Sequence, residues 1–416
     1  MSTNWPKVML RFLLSEPITD GPHETPEFII EGVPFLSVDG IQDGELVLEN
    51  TRFISNEQHE IFTKKACPQF DDILFGKAAS TGKIARVKTD IEFSIWSPLA
   101  LLRPDQRKIF PAYLEFALKS HEAQAQIDSL CTSSTQKNIS MDAIPRIQIS
   151  LPPLDVQQKI AKNLTLENAR LYKLIVKKKD LLETLKEKRS AVISKAVTQG
   201  LHLDIPKRDS KIDWLGEIPA HWLTENTRWL FKEIDERSED GSEELLTVSH
   251  LTGVTKRSEK DVNMFLAETN EGYKRCRAGD LVINTLWAWM GAMGVARHDG
   301  IVSPAYNVYR PTQAFDPDYL DYLVRTPMFV TEITRYSKGV WSSRMRLYPE
   351  GLYEASMPVP SLEEQAQIVR GIAHQIQHID ALSSATKDTV ELLEERRTAL
   401  IAAAISGQLE FKEQAT

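Results

Sequence analysis

Three stretches of this 416-residue chain gather Lys and Arg among glycines, amides and hydroxyls without one acidic residue. "FGKAASTGKIARVK" (75–88) carries Lys77, Ser80, Thr81, Lys83 and Arg86. "CTSSTQKNIS" (131–140) carries Ser134, Thr135, Gln136 and Lys137. "YSKGVWSSRMRLY" (336–348) carries Lys338, Trp341, Ser342, Ser343, Arg344 and Arg346. Cations set among short hydrogen-bonding side chains suit contact with phosphate oxygens and with the edges of bases. Taken singly, each stretch reads equally well as a solvated loop.

Other chemistries find less support. "STGKIA" has Gly-Lys but neither the upstream glycine nor the following Ser/Thr of a phosphate loop, and no G-x-G-x-x-G follows a strand. "SLPPL" shares only its prolines with the Asn-Pro-Pro-aromatic motif of amino-methyltransferases. His374 and His378 in "HQIQH" stand one helical turn apart but have no glutamate between them, and their helical phase turns them to solvent rather than toward a metal. The three cysteines (Cys67, Cys131, Cys276) form no CxxC and leave an odd one over, which fits a reducing cytoplasm. "MSTNWPKVML" lacks the basic start and apolar run of a signal peptide. The most apolar window, "TLWAWMGAMGVA", is too short for a bilayer. No catalytic site or bound cofactor is expected. A formal charge of −8 by itself argues mildly against nucleic acid.

What must position the basic stretches is a repeat. "LKEKRSAVISKAVTQGL" from Leu185 returns as "LEERRTALIAAAISGQL" from Leu393, so Arg189 and Arg397 stand 208 residues apart, half the chain. Pro152, Leu154, Gln157 and Ile160 fall on Pro360, Leu362, Gln365 and Ile368 at the same offset. A fixed long period is a structural statement. The chain is a tandem duplication, and each half reads as a mixed region followed by a long helix.

Each helix should open after a proline-containing stop, capped by Asp155 or Ser361, and end near Gly200 or Gly407. Alternating steps of four and three trace one seam through Leu171, Ile175, Leu182, Leu185, Arg189 and Val192. The same steps trace another through Ile376, Ile379, Val390, Leu393, Arg397 and Leu400. Each helix could simply pack on its own domain, but two seams in identical phase favour mutual, antiparallel packing. "KKKD" and "KEKR" on one helix face "ELLEE" on the other. The expected result is a spacer of about 60 Å with a head at each end.

The heads repeat more faintly. "DILF" (72–75) matches "DLVI" (280–283), "SPLALLRP" resembles "SPAYNVYRP", and "FPAYLEFAL" (110–118) resembles "DPDYLDYLV" (316–324). The first pair reads as buried strands and the last as helices with proline at the first position. "STQKNI" and "SSRMRL" are equivalent at 208, with Gln136 opposite Arg344. Glutamine suits adenine and arginine suits guanine, so the heads are expected to share a frame and read different sequences.

At this point the sequence resembles the specificity subunit of type I restriction-modification systems. The likeness lies in two variable heads, each followed by a glutamine-containing entry into a long helix ending "EKRSAVISKAVTQGL" or "ERRTALIAAAISGQL". "DSKIDWLGEIPAHW" (209–222) is similar to the family's lead-in to a head. The resemblance implies a mixed α/β fold with target-recognition domains at 1–150 and 201–358. Long antiparallel coiled-coil helices at 151–200 and 359–410 would relate them by a pseudo-two-fold. It also implies a non-catalytic, cytoplasmic DNA-binding chain that reads a bipartite site. Two adenine-N6 methyltransferase subunits would dock on the helices, and a motor-nuclease subunit could join. S-adenosylmethionine, ATP and magnesium would belong to those partners, which could also share phosphate neutralisation with an acidic chain. The start of the chain departs from the family's lead-in, so the first head's edge is expected to pack differently, with "LEFKEQAT" as candidate partner. Two other readings stay open: a protein-only scaffold, and a fused nuclease or methyltransferase with unrecognised motifs. The first predicts no salt-sensitive DNA affinity, the second activity from the isolated chain.

Overall fold

The short apolar runs that recur in the two halves become the central strands of two equivalent sheets. In a computed structural model that describes residues 5–49, 51–132, 137–202, 204–260, 269–339 and 345–409, Ile73–Gly76 and Leu281–Asn284 are buried at every position. Strands buried on both faces read as continuous apolar runs. The first sheet orders Thr19–Asp20, Leu99–Leu102, Ile73–Gly76 and Ile84–Arg86, all antiparallel. The second orders Phe231–Ile234, Tyr306–Pro311, Leu281–Asn284 and Met293–Val295, again antiparallel. Register is repeated too: Leu74 lies between Leu101 and Ala85, and Val282 between Val308 and Gly294.

A buried ion pair ties each sheet together in the same way. Asp72 receives Arg103 through Nε and an Nη at 3.0 and 2.8 Å, and Asp280 receives Arg310 at 3.0 and 2.9 Å. Each aspartate also accepts a backbone N–H three residues upstream at 2.8 Å, from Gln69 and Arg277 respectively. Two-pronged geometry makes these pairs directional as well as strong.

Behind each sheet lie two short helices. Pro111–Lys119 and Pro317–Val324 both open with proline, which needs no donor there and has its φ preset. His121–Leu130 and Pro327–Tyr336 follow, capped by Ser120 and Thr326 through their hydroxyls. Further strand pairs flank the sheets, and the fold is mixed α/β with two β-rich regions and two long helices.

The long helices run Leu154–Gln199 and Leu362–Ile405. Ser361 caps the second, its hydroxyl accepting the N–H of Glu364 at 3.3 Å. Asp155 does not cap the first. Intrahelical bonding starts two residues earlier, with Gln157 N–H donating to the Pro153 carbonyl, so Asp155 sits within the first turn. Its carboxylate still suits the positive end of the helix. Gly200 and Gly407 end the helices with φ of +76° and +72°, where a side chain would be strained.

The chain divides into two compact units, and each takes part of both helices. One unit is Met1–Lys179 with Asp388–Thr416, and the other is Asp180–Lys387. Within the first unit, Ile160, Ala161 and Leu164 share a core with Ile401, Ala404 and Ile405. Within the second, Ala196 and Val197 share one with Ile368, Ile372 and Ile376. In the first unit Arg397 Nε donates to Asn168 Oδ1 at 2.5 Å, and Lys179 meets Glu394 at 3.0 Å. The partner numbers fall as the first helix's numbers rise, so the two segments run antiparallel. In the second unit Arg189 Nε meets Asp380 Oδ1 at 2.8 Å. Of the seam positions, Leu171, Ile175, Leu185, Ile376, Ile379 and Val390 are buried, while Leu182, Arg189, Val192, Leu393, Arg397 and Leu400 are half-buried. The exposed ion pairs contribute little stability, and the apolar seam carries the packing.

The first head's edge is built from strand Lys7–Met9 paired with Gln148–Ser150. The segment proposed to cover it, "LEFKEQAT", lies outside the described residues after Leu409. No described helix is long and apolar enough to cross a membrane.

Candidate nucleic-acid interface

Two loops meet at one end of the sheet in each unit, and the same backbone bond joins them. In the first unit the loop after Ile73–Gly76 meets the segment after His121–Leu130, and Ile139 N–H donates to the Lys77 carbonyl at 3.0 Å. In the second, Leu347 N–H donates to the Thr285 carbonyl, also at 3.0 Å. Both partners of this bond are offset by 208. The base of the second loop also matches: Thr132 N–H donates to Asn138 O at 3.0 Å, and Lys338 N–H donates to Arg346 O at 2.9 Å.

In the first unit this juxtaposition brings the first two basic stretches together. The Thr81 hydroxyl donates to the Lys137 carbonyl at 2.7 Å. Ser80 and Lys83 line a cavity of about 420 Å³ with Arg52, Trp96, Asp39 and Glu49. Several of the cations are engaged within the fold. Lys77 Nζ meets Asp20 at 2.6 Å, and Lys83 Nζ donates to the Ile41 carbonyl at 2.9 Å. Arg86 is held by Asp71 and by Glu115. Burial alone pushes the Glu115 carboxyl up, but Lys119, Lys88 and Arg86 together hold it below the ordinary range. Asp20 behaves alike, desolvation being outweighed by Lys65 and Lys77. Lys137 projects outward beside Asp128 at 2.6 Å. Ser134, Thr135 and Gln136 lie outside the described residues.

In the second unit Arg346 Nε donates to the Thr285 hydroxyl at 3.2 Å, and its guanidinium stands 6.0 Å from the Tyr348 ring. Lys338 is exposed across the same loop base. Trp341, Ser342, Ser343 and Arg344 lie outside the described residues.

Sequence reasoning missed the first loop of the second unit. "TLWAWM" (285–290) is the counterpart, at 208, of "KAASTG" (77–82). Its Leu286, Trp287 and Met290 are 47, 49 and 37% exposed. The Trp287 and Trp289 rings stack with centroids 6.1 Å apart. Aligning the two halves through these loops, not only through the helices, is the signal that finds them.

His374 and His378 lie with ring centroids 6.5 Å apart on the exposed face of their helix. Among the described residues, no three or more His, Cys, Asp or Glu gather as a metal site would require.

Comparison with known proteins agrees with the repeated frame. A family model described as the type I restriction modification DNA specificity domain matches residues 28–184. The type I restriction enzyme EcoBI specificity subunit of Escherichia coli is 25% identical over 304 residues, which is 68% of this chain and 63% of that protein. That alignment therefore spans less than two thirds of the relative. The putative type I restriction enzyme MjaX specificity subunit of Methanocaldococcus jannaschii is 25% identical over 397 residues, 92% of this chain and 88% of that one. A structure solved in work on complex assembly and conformational transition of the type I R-M system covers 98% of both chains. It superposes with a TM-score of 0.69 at 15% identity, which is a likeness of fold. The relatives matched and the specificity-domain match in the first half point the same way, and the solved structure shares the fold. The chain is similar along most of its length to specificity subunits of type I restriction-modification systems, and its residues 28–184 match the model of a type I restriction modification DNA specificity domain.

Proposed function

We propose that regions 1–150 and 201–358 are two target-recognition domains, each reading one half of a bipartite DNA site. The observation that carries this reading is the recurrence of one loop-to-loop frame with unlike side chains on it. Ile139 to Lys77 and Leu347 to Thr285 make the same bond, while "KAASTG" and "TLWAWM" present opposite chemistries. A shared frame with exchanged contact residues is what reading two different half-sites requires.

The helices at 151–200 and 359–410 then set the gap between half-sites and dock two adenine-N6 methyltransferase subunits. S-adenosylmethionine sits on those subunits, and ATP and magnesium on a motor-nuclease subunit when one joins, in the cytoplasm. Of the basic residues, Lys137, Lys338 and Arg346 are the described ones best disposed to meet DNA. Lys77, Lys83 and Arg86 hold the loop frame through their internal partners, and Ser80 and Thr81 shape its surface. Ser134, Thr135, Gln136, Trp341, Ser342, Ser343 and Arg344 complete the proposed contact set.

Co-expression of the chain with its methyltransferase subunit, followed by genome-wide mapping of N6-methyladenine, tests the reading. Two short motifs at a fixed separation are expected. Methylation without a recurring motif, or with one contiguous motif, would refute it.

A further inference from the structure

The two loop frames differ in one respect that bears on which bases are read. At 78, 79, 81 and 82 the first unit has Ala, Ala, Thr and Gly; the second has Leu286, Trp287, Trp289 and Met290 at the equivalent positions. The polypeptide beneath these side chains is firmly held. Asn284 Oδ1 accepts the Leu286 N–H at 3.2 Å, Trp289 Nε1 donates to the Leu286 carbonyl at 3.1 Å, and the Trp287 N–H donates to the Asn284 carbonyl at 3.0 Å. Leu286, Trp287 and Met290 are thus presented outward by an ordered turn, and one edge of that turn is bounded by Arg346, bonded to Thr285.

Large apolar groups left in water on an ordered turn mark a contact surface. Arg346 and Lys338 beside them favour a polyanion as the partner. The edges of base pairs offer little for such groups to touch. In the major groove the one apolar substituent that projects from the base edges, beside their hydrogen-bond donors and acceptors, is the methyl at C5 of thymine. We propose that Leu286, Trp287 and Met290 read thymine methyl groups within the second head's half-site. This deepens the DNA-specificity reading above and rests on it. The first head, with small and hydroxylic residues at those positions, reads its half-site through hydrogen bonds instead.

The test uses the full chain with its methyltransferase partner and synthetic duplexes bearing the mapped site, whose only 5-methyl groups are those of thymine. Uracil replaces thymine in one half-site at a time. In the second head's half-site each methyl lost should weaken binding about four-fold, the value of one buried methyl-sized group. Trp287→Ala should lose part of the preference for thymine over uracil, and Leu286→Ala, Trp287→Ala and Met290→Ala combined should bind the two kinds of duplex equally. A second half-site without thymine, or uracil duplexes bound as tightly as thymine ones, would overturn this inference and leave DNA specificity standing. So would a Trp287→Ala chain that loses its methyltransferase partner while keeping its preference for thymine, because the patch would then be a protein contact. Absence of salt-sensitive binding to any duplex would remove both readings.

Discussion

The side-chain carbonyl of Gln157 accepts the backbone N–H of Phe110 at 2.8 Å, fastening the start of a head helix to the start of a long helix. Its amide nitrogen donates to the carbonyls of Pro152 and Lys108 at 2.8 and 3.2 Å. Gln365 repeats the arrangement, accepting from Asp316 N–H at 2.8 Å and donating to the Pro360 carbonyl at 2.9 Å. Both glutamines are 1% exposed. The glutamine that marks the helix entry in sequence is a joint between the head and its helix.

Gln157→Ala should therefore destabilise the first unit by about 2 kcal/mol, because the Phe110 N–H and the Pro152 carbonyl lose a partner away from water. Urea unfolding followed by domain-specific proteolysis reads this out. An unchanged midpoint would show that water replaces the amide.

Asp280→Ala removes the carboxylate that Arg310 and the Arg277 N–H share. A loss of up to about 3 kcal/mol is expected, tempered by the partial exposure of Arg310. Asp72→Ala should cost a similar amount in the other unit, since its partners are the same in kind and geometry. Thermal unfolding of the two variants should show equal shifts assigned to different units.

Asp20 gives the first unit a pH dependence. Burial raises its pKa, but Lys65 and Lys77 more than offset this, and the folded value lies below the ordinary one. A depressed carboxyl stabilises the fold above its unfolded pKa of about 3.9 and loses that contribution as pH falls through the folded value. Lys77→Met should move the loss to higher pH. Denaturant midpoints between pH 3 and pH 6, a range of roughly one ordinary carboxyl titration, check the direction of the move.

The cysteines should separate by reactivity. Cys67 is exposed, whereas burial pushes the Cys276 thiol up to about 12. Burial, with Asp128 nearby, also raises Cys131. Thiolate is the reactive form, so a chromogenic disulfide at pH 8 should label Cys67 first, Cys131 more slowly and Cys276 only after unfolding. Mass spectrometry of the labelled peptides gives the order.

The proposed ruler can be cut. Removing 177–180 together with 385–388, segments that stand 208 residues apart, keeps the two halves in step and shortens each helix by about 6 Å, nearly two base pairs at roughly 3.4 Å each. It also rotates the downstream part of each helix by about 40°. Methylation mapping should show an altered gap or lost activity, with the half-site letters kept. Altered letters with an intact gap would count against the assignment.

Local patterns made much of the fold legible. "DILF" and "DLVI" contribute strands because three apolar residues follow an aspartate at a turn, and Gly200 and Gly407 end helices because they take φ values other residues avoid. The cations were legible as a composition but not as a network. Lys77 finds Asp20 across 57 residues and Arg86 finds Glu115 across 29, pairings that depend on the sheet order. Trp287 was missed because a run of apolar residues reads as core. Only the end of strand Leu281–Asn284 decides that the next residues leave the sheet and meet solvent.

The division of both long helices between the units has a consequence for biosynthesis. The unit that holds residues 5–179 is completed by Asp388–Ile405, which the ribosome supplies only after the whole of the other unit, whereas the other needs nothing beyond Lys387. On a nascent chain the later-made unit closes first, and the earlier one waits with Leu164 and Ile160 unshielded. A premature stop near residue 388 would accordingly cripple the unit that holds residues 5–179 and spare the other.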